Sequence, residues 1–130
     1  MIGIVIVAHG GLAREYLAAV QHVIGQQVGL IAIAIEAEHD RDLKQREICA
    51  AADQVDAGQG VVVVTDLFGG SPSNLSLKAC SPADRRILYG ANLPMLIKLA
   101  KCRDLPIADA VRNAMEAGKK YINTQNVSIE

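Results

Sequence analysis

Two side chains of chemically useful type stand where apolar runs end: His9, after residues 2–8, and Asp66, after Val61-Val62-Val63-Val64-Thr65. A neutral imidazole attacks through one ring nitrogen while the other gives its proton to a carboxylate, which fixes the tautomer and stabilises positive charge as the new bond forms. Asp66 is the candidate for that orienting role. Leu67-Phe68-Gly69-Gly70-Ser71-Pro72-Ser73-Asn74 follows it directly. The glycine pair permits backbone geometry closed to other residues, Ser71 is a good N-cap, and Pro72 suits a first helical turn. A phosphoryl group carried by His9 would bring negative charge, which the N–H groups around Ser71 to Asn74 and the helix dipole could receive. Such chemistry requires no metal, nucleotide or other cofactor.

Each feature alone has an ordinary explanation. A histidine at a strand end is commonly structural, an aspartate forms turns, and Gly-Gly-Ser-Pro starts helices. Their convergence carries the functional reading. His22, inside a helix, and His39, in a charged loop, have no comparable setting and read as solvated. The glycine turn lacks the lysine of a phosphate-binding P-loop, and Ala8-His9-Gly10-Gly11 is not a dinucleotide fingerprint, so nucleotide binding is not expected. Gly69 to Ser73 comes within one residue of the G-x-S-x-G hydrolase elbow, which raises a serine hydrolase. Pro72 opposes it, because the residue after the nucleophile should donate an oxyanion-hole N–H.

The elements that must position these residues alternate. Residues 2–8 form a strand, and Leu12 to Ile24 a helix closed by Gly25. Leu30 to Ile35 is a strand, and Asp40 caps a helix reaching Val55. Val61–Val64 does not alternate apolar with polar, so both of its faces should be covered, as in a parallel sheet. A helix from Pro72 to about Ala79, a short strand Arg86–Tyr89, and helices Met95–Lys101 and Ile107–Tyr121 complete the chain, with Pro94 and Pro106 as first-turn prolines. This βαβαβαβα order predicts one α/β domain over 1–130, a doubly wound, mainly parallel open sheet with helices on both faces. A strand order 2-1-3-4 puts the winding reversal between the first and third strands, where ligands bind and where His9 and Asp66 end. The tail, Gln125 to Ile129, reads as a strand too short to be stable unpaired, and is expected to pair with a sheet edge in a homodimer.

Composition limits the alternatives. The 130 residues are 51% hydrophobic with a net charge of −1, leaving room for one substantial core and no basic footprint for nucleic acid. Aromatic content of 3% leaves few platforms for stacking bases. Cys49, Cys80 and Cys102 form no C-x-x-C pair and read as reduced thiols. The apolar N-terminus is too short to span a bilayer and lacks a basic leader, which predicts no membrane insertion and a cytoplasmic protein.

Three blocks, Ala8-His9-Gly10, Asp66 to Asn74, and Gly90-Ala91-Asn92-Leu93-Pro94-Met95-Leu96, resemble the EIIA component of the mannose family of the phosphoenolpyruvate-dependent sugar phosphotransferase system, over essentially the whole chain. The resemblance implies that His9 accepts a phosphoryl group from the phosphocarrier HPr and passes it to an EIIB partner for sugar uptake. Asp66 would be its hydrogen-bonded companion, and Gly70, Ser71, Ser73 and Asn74 would surround the phosphate. It further implies a flavodoxin-like homodimer. Two neighbouring uses of the same chemistry are a dihydroxyacetone-kinase phosphoryl donor and a regulatory module that only reports its phosphorylation state. An aspartate-phosphorylated receiver domain fits less well, since the first strand ends in histidine.

Overall fold

The computed structural model describes residues 1–82 and 84–128. Four parallel strands, β1 (Gly3–His9), β2 (Leu30–Ile35), β3 (Val61–Thr65) and β4 (Arg85–Leu88), form one sheet in the order β2-β1-β3-β4. The register sets Ile4 beside Leu30 on one side and Val62 on the other. The winding therefore reverses between β1 and β3, as expected.

Covering both faces explains the unbroken valine run. On one face Ile4, Ile6, Val62 and Val64 pack against α1 (Leu12–Ile24), α4 (Leu93–Lys101) and α5 (Ile107–Lys120). On the other, Val5, Val7, Val61 and Val63 meet α2 (Arg41–Val55) and α3 (Ser71–Ser76). Val61 to Val64 are each 0% exposed. Burial of each such side chain contributes about 1.5–3 kcal/mol relative to exposure. In α2, Ile48, Ala51, Ala52 and Val55 are buried at helical spacing, and the Asp40 side chain caps the start by accepting from Leu43 N–H at 3.0 Å.

The sheet's lower rim is closed by one buried cation. Arg103, 4% exposed, donates from Nε to the Ile2 carbonyl at 2.7 Å, from Nη1 to Val28 at 2.6 Å and from Nη2 to Gly29 at 2.8 Å. These carbonyls lie at the entries to β1 and β2. Burial lowers its pKa, and Asp104 opposes that shift.

Several boundaries differ from expectation. Gly70, not Ser71, occupies the N-cap of α3, and no side chain caps it. The helix stops at Ser76 rather than near Ala79 and gives way to a 3₁₀ turn over Lys78–Cys80. Ser76 Oγ donates back to the Pro72 carbonyl at 2.5 Å, a bond that competes with continued helix. β4 runs Arg85–Leu88 rather than Arg86–Tyr89, since Arg85 pairs with Val61 across the sheet; its side chain, 8% exposed, is paired with Asp53 at 2.8 Å and Asp56 at 3.1 Å. Pro106 is the N-cap of α5, with ψ 142°, rather than a first-turn residue. Asn92 caps α4 through Met95 N–H, which starts that helix at Leu93. Residues 122–128 carry no regular structure in the single chain and are exposed. The strand expected over 125–129 is therefore not formed over 125–128, and its Ile129 lies outside the described residues. Among the described residues, no helix is long and apolar enough to cross a membrane.

Candidate functional site

β1 and β3 lie side by side with Val7 opposite Thr65, so the residues that follow emerge together at the C-terminal end of the central strands. There His9 Nδ1 stands 2.8 Å from Asp66 Oδ2. The same oxygen accepts the His9 backbone N–H at 3.1 Å, and Oδ1 accepts Leu67 N–H at 3.0 Å. Burial alone would raise the Asp66 pKa, but the His9 side-chain and backbone hydrogen bonds outweigh it and hold the carboxyl below its ordinary value. An ionised carboxylate only accepts, so Nδ1 carries the ring proton and Nε2 keeps its lone pair. The His9 side chain is 48% exposed and that of Asp66 10%, which leaves the imidazole open and its carboxylate partner enclosed.

The glycine turn lies against the imidazole. A Cβ on Gly70 would sit 3.2 Å from His9 Cε1 and 3.6 Å from Nε2. Gly70 has φ −85°, so it is the approach to the ring, not the backbone angle, that asks for glycine; Gly69, at φ +87°, supplies the left-handed bend. The other predicted phosphate contacts divide. Ser71 is half-buried at the first helical position, Ser73 is 3% exposed, and Asn74 is exposed. The Asn74 N–H is given to the Gly70 carbonyl at 3.0 Å. Ser71 and Ser73 retain first-turn amides without an intrahelical acceptor, while Pro72 has none to offer.

Other candidates are placed elsewhere. Among the described residues Ser71 makes no hydrogen bond to His9, so the nucleophile-base contact of a serine hydrolase is not made. His22 is exposed on α1; His39 is half-buried and engages the Glu36 carbonyl at 3.0 Å rather than standing free in solvent. The three cysteines are unpaired thiols, and burial pushes Cys80 up to about 11 although Arg85 opposes the shift.

Sequence reasoning missed the rim. Phe68 is 81% and Leu67 57% exposed beside the His9–Asp66 pair, and the Phe68 ring meets Tyr89 edge-on with centroids 5.0 Å apart. It also missed Tyr16, half-buried on α1, whose hydroxyl donates to the Ala91 carbonyl at 3.0 Å. With only three tyrosines and one phenylalanine, the aromatics near the three matched blocks were the available signal.

Comparison with known proteins agrees with this geometry. A family model described as the PTS system fructose IIA component, EIIA-man, matches residues 3–116. The mannose-specific EIIAB component of the phosphotransferase system of Escherichia coli (strain K12) is 26% identical over 124 residues, covering 93% of this chain and 38% of that protein. This chain thus spans well under half the length of that relative. The crystal structure of phosphotransferase system component EIIA from Streptococcus agalactiae superposes with a TM-score of 0.85 at 26% identity, covering 95% of this chain and 97% of that one. The mannose/sorbose-specific IIA subunit from Enterococcus faecalis shares the fold with a TM-score of 0.86 at 24% identity, covering 99% and 98% of the two chains. An alternating α/β chain whose winding reversal joins a histidine, a carboxylate and a glycine turn, matched over most of its length, belongs to the EIIA-man family of phosphotransferase system IIA components.

Proposed function

We propose that this protein is a phosphohistidine carrier in which His9 takes a phosphoryl group from phospho-HPr and delivers it to an EIIB partner, serving sugar uptake. The observation that carries the reading is the 2.8 Å contact of Nδ1 with an enclosed, ionised Asp66, which directs the Nε2 lone pair outward. That lone pair attacks phosphorus, and the bond to the donor atom breaks with its electron pair leaving on the donor. The ring, still protonated at Nδ1, then holds positive charge that Asp66 meets. Attack by the acceptor reverses these steps and returns neutral His9. The Gly70 backbone beside Nε2 and the Ser71 and Ser73 amides are suited to the phosphoryl oxygens. Exposed Leu67 and Phe68 beside the pair favour protein donors and acceptors over a free small substrate.

A homodimer completes this reading. β4 is an edge strand, and between it and α5 runs a cavity of about 350 Å³ lined in part by Ile87, Tyr89, Met115 and Ile122. The tail of a second copy, with Val127 exposed in the single chain, is the proposed occupant of that edge.

Incubation with phosphoenolpyruvate, enzyme I and HPr, followed by intact mass spectrometry, tests the carrier function. One acid-labile phosphate is expected on the wild type and none on His9→Ala. Equal labelling of the two proteins would remove His9 from the reaction.

A further inference from the structure

The run Gly90-Ala91-Asn92-Leu93-Pro94 is among the most specific parts of the sequence, yet none of its residues hydrogen-bonds His9 or Asp66. One of its bonds reaches the backbone just before the carboxylate, and the residue it meets there bonds to the backbone just after it. Ala91 N–H donates to the Thr65 carbonyl at 3.0 Å, immediately before Asp66. Thr65, fully buried, donates from Oγ1 to the Leu67 carbonyl at 3.1 Å, immediately after it. Ala91 is held in turn from α1, where Tyr16 Oη donates to its carbonyl at 3.0 Å. Asn92 anchors the opposite side of the loop through the Gly90 carbonyl at 3.2 Å and the Gly118 carbonyl of α5 at 3.3 Å.

We propose that Tyr16 is a positioning residue for phosphoryl transfer, its hydroxyl holding Asp66 against His9 Nδ1 by way of Ala91 and Thr65. The inference rests on the reading of His9 as phosphoryl acceptor. α1 starts three residues after His9, and β3 ends one residue before Asp66, so a brace between them governs the separation of the two reacting side chains. That separation matters most when the ring becomes positive: a carboxylate displaced by a fraction of an ångström loses much of a directional, charge-assisted bond. Burial, and then the charge of Asp66, raise the Tyr16 pKa, so the hydroxyl remains a donor throughout the neutral range.

A tyrosine that merely fills the core would behave differently from one that acts through Asp66, and a double-mutant cycle separates them. Transfer from phospho-HPr is measured for the wild type, Tyr16→Phe, Asp66→Asn and the double variant, and ¹⁵N NMR reports the ring tautomer of neutral His9 in each. Tyr16→Phe keeps the ring, and is expected to lower kcat about tenfold with KM unchanged. In the Asp66→Asn background the same change should cost less than about twofold, because the element it acts through is already gone. Its His9 should show a mixture of tautomers where the wild type shows Nδ1–H. Equal losses in both backgrounds, or a wild-type tautomer in Tyr16→Phe, overturn the proposal. Should Tyr16→Phe fail to fold, Tyr16→Met, which also lacks the hydroxyl and packs adaptably, carries the same test. If the wild type takes no phosphate from phospho-HPr, the carrier reading fails instead, and the tautomer measurement still decides the role of Tyr16.

Discussion

Asp66 concentrates three N–H donors on one carboxylate, two of them from His9. Replacement by asparagine keeps the size but offers a weaker acceptor that can also turn its own N–H groups toward Nδ1. Asp66→Asn should therefore slow phosphoryl transfer by about 100-fold or more while the fold persists. Ser71→Ala leaves the backbone amides in place and should cost about tenfold, one hydroxyl contact to a charged group. Labelling rates that rank the two variants in the opposite order would return the serine to the centre of the chemistry. Asp66 also links the site to acid stability. Its pKa is lower in the folded chain than unfolded, so its contribution is complete above the unfolded carboxyl value of about 3.9 and is lost as pH falls through the lower, folded value. Denaturant titrations at several pH values should show wild-type stability dropping more steeply below about pH 4 than that of Asp66→Asn. Both members of this pair were legible in the sequence, because strand ends at a winding reversal meet by topology alone. Tyr16 was not, since a hydroxyl aimed at the backbone carbonyl of a residue 75 positions away leaves no local pattern.

The segment from the end of β3 into α3 brings backbone, rather than a side chain, up to the reactive ring. Gly70→Ala is allowed by its φ of −85°, so unfolding stability should change by less than about 1 kcal/mol. The new methyl would press on Cε1, and phosphoryl transfer should fall about tenfold through displacement of the ring. A Gly70→Ala protein as active as wild type would show that the ring has room to move. Most elements of this kind were readable because apolar periodicity and caps agreed: Leu30–Ile35 has the bounds expected, and Asp40 caps α2. The exceptions have local causes invisible in periodicity. A serine bonding its own helix shortened α3, and pairing with Val61 across the sheet brought Arg85 into β4.

Considered as a whole, the molecule ends its sheet in unpaired strands, and β4 presents its outer edge beside an exposed tail. Removal of residues 124–130 should convert the proposed dimer to monomers in sedimentation equilibrium without abolishing the His9 chemistry; a truncated chain that stays dimeric at low micromolar concentration would exclude the tail as the dimerising element. At the other end of the strands, Arg103 has a consequence for how the chain is born. Its guanidinium reaches carbonyls 101, 75 and 74 residues earlier in the sequence. On a ribosome, β1 and β2 leave the exit tunnel long before the side chain that closes their lower rim. Those strands wait, their lower rim open, until residue 103 has followed them out. The interval before Arg103 arrives is when the apolar strands are open to chaperones or to one another.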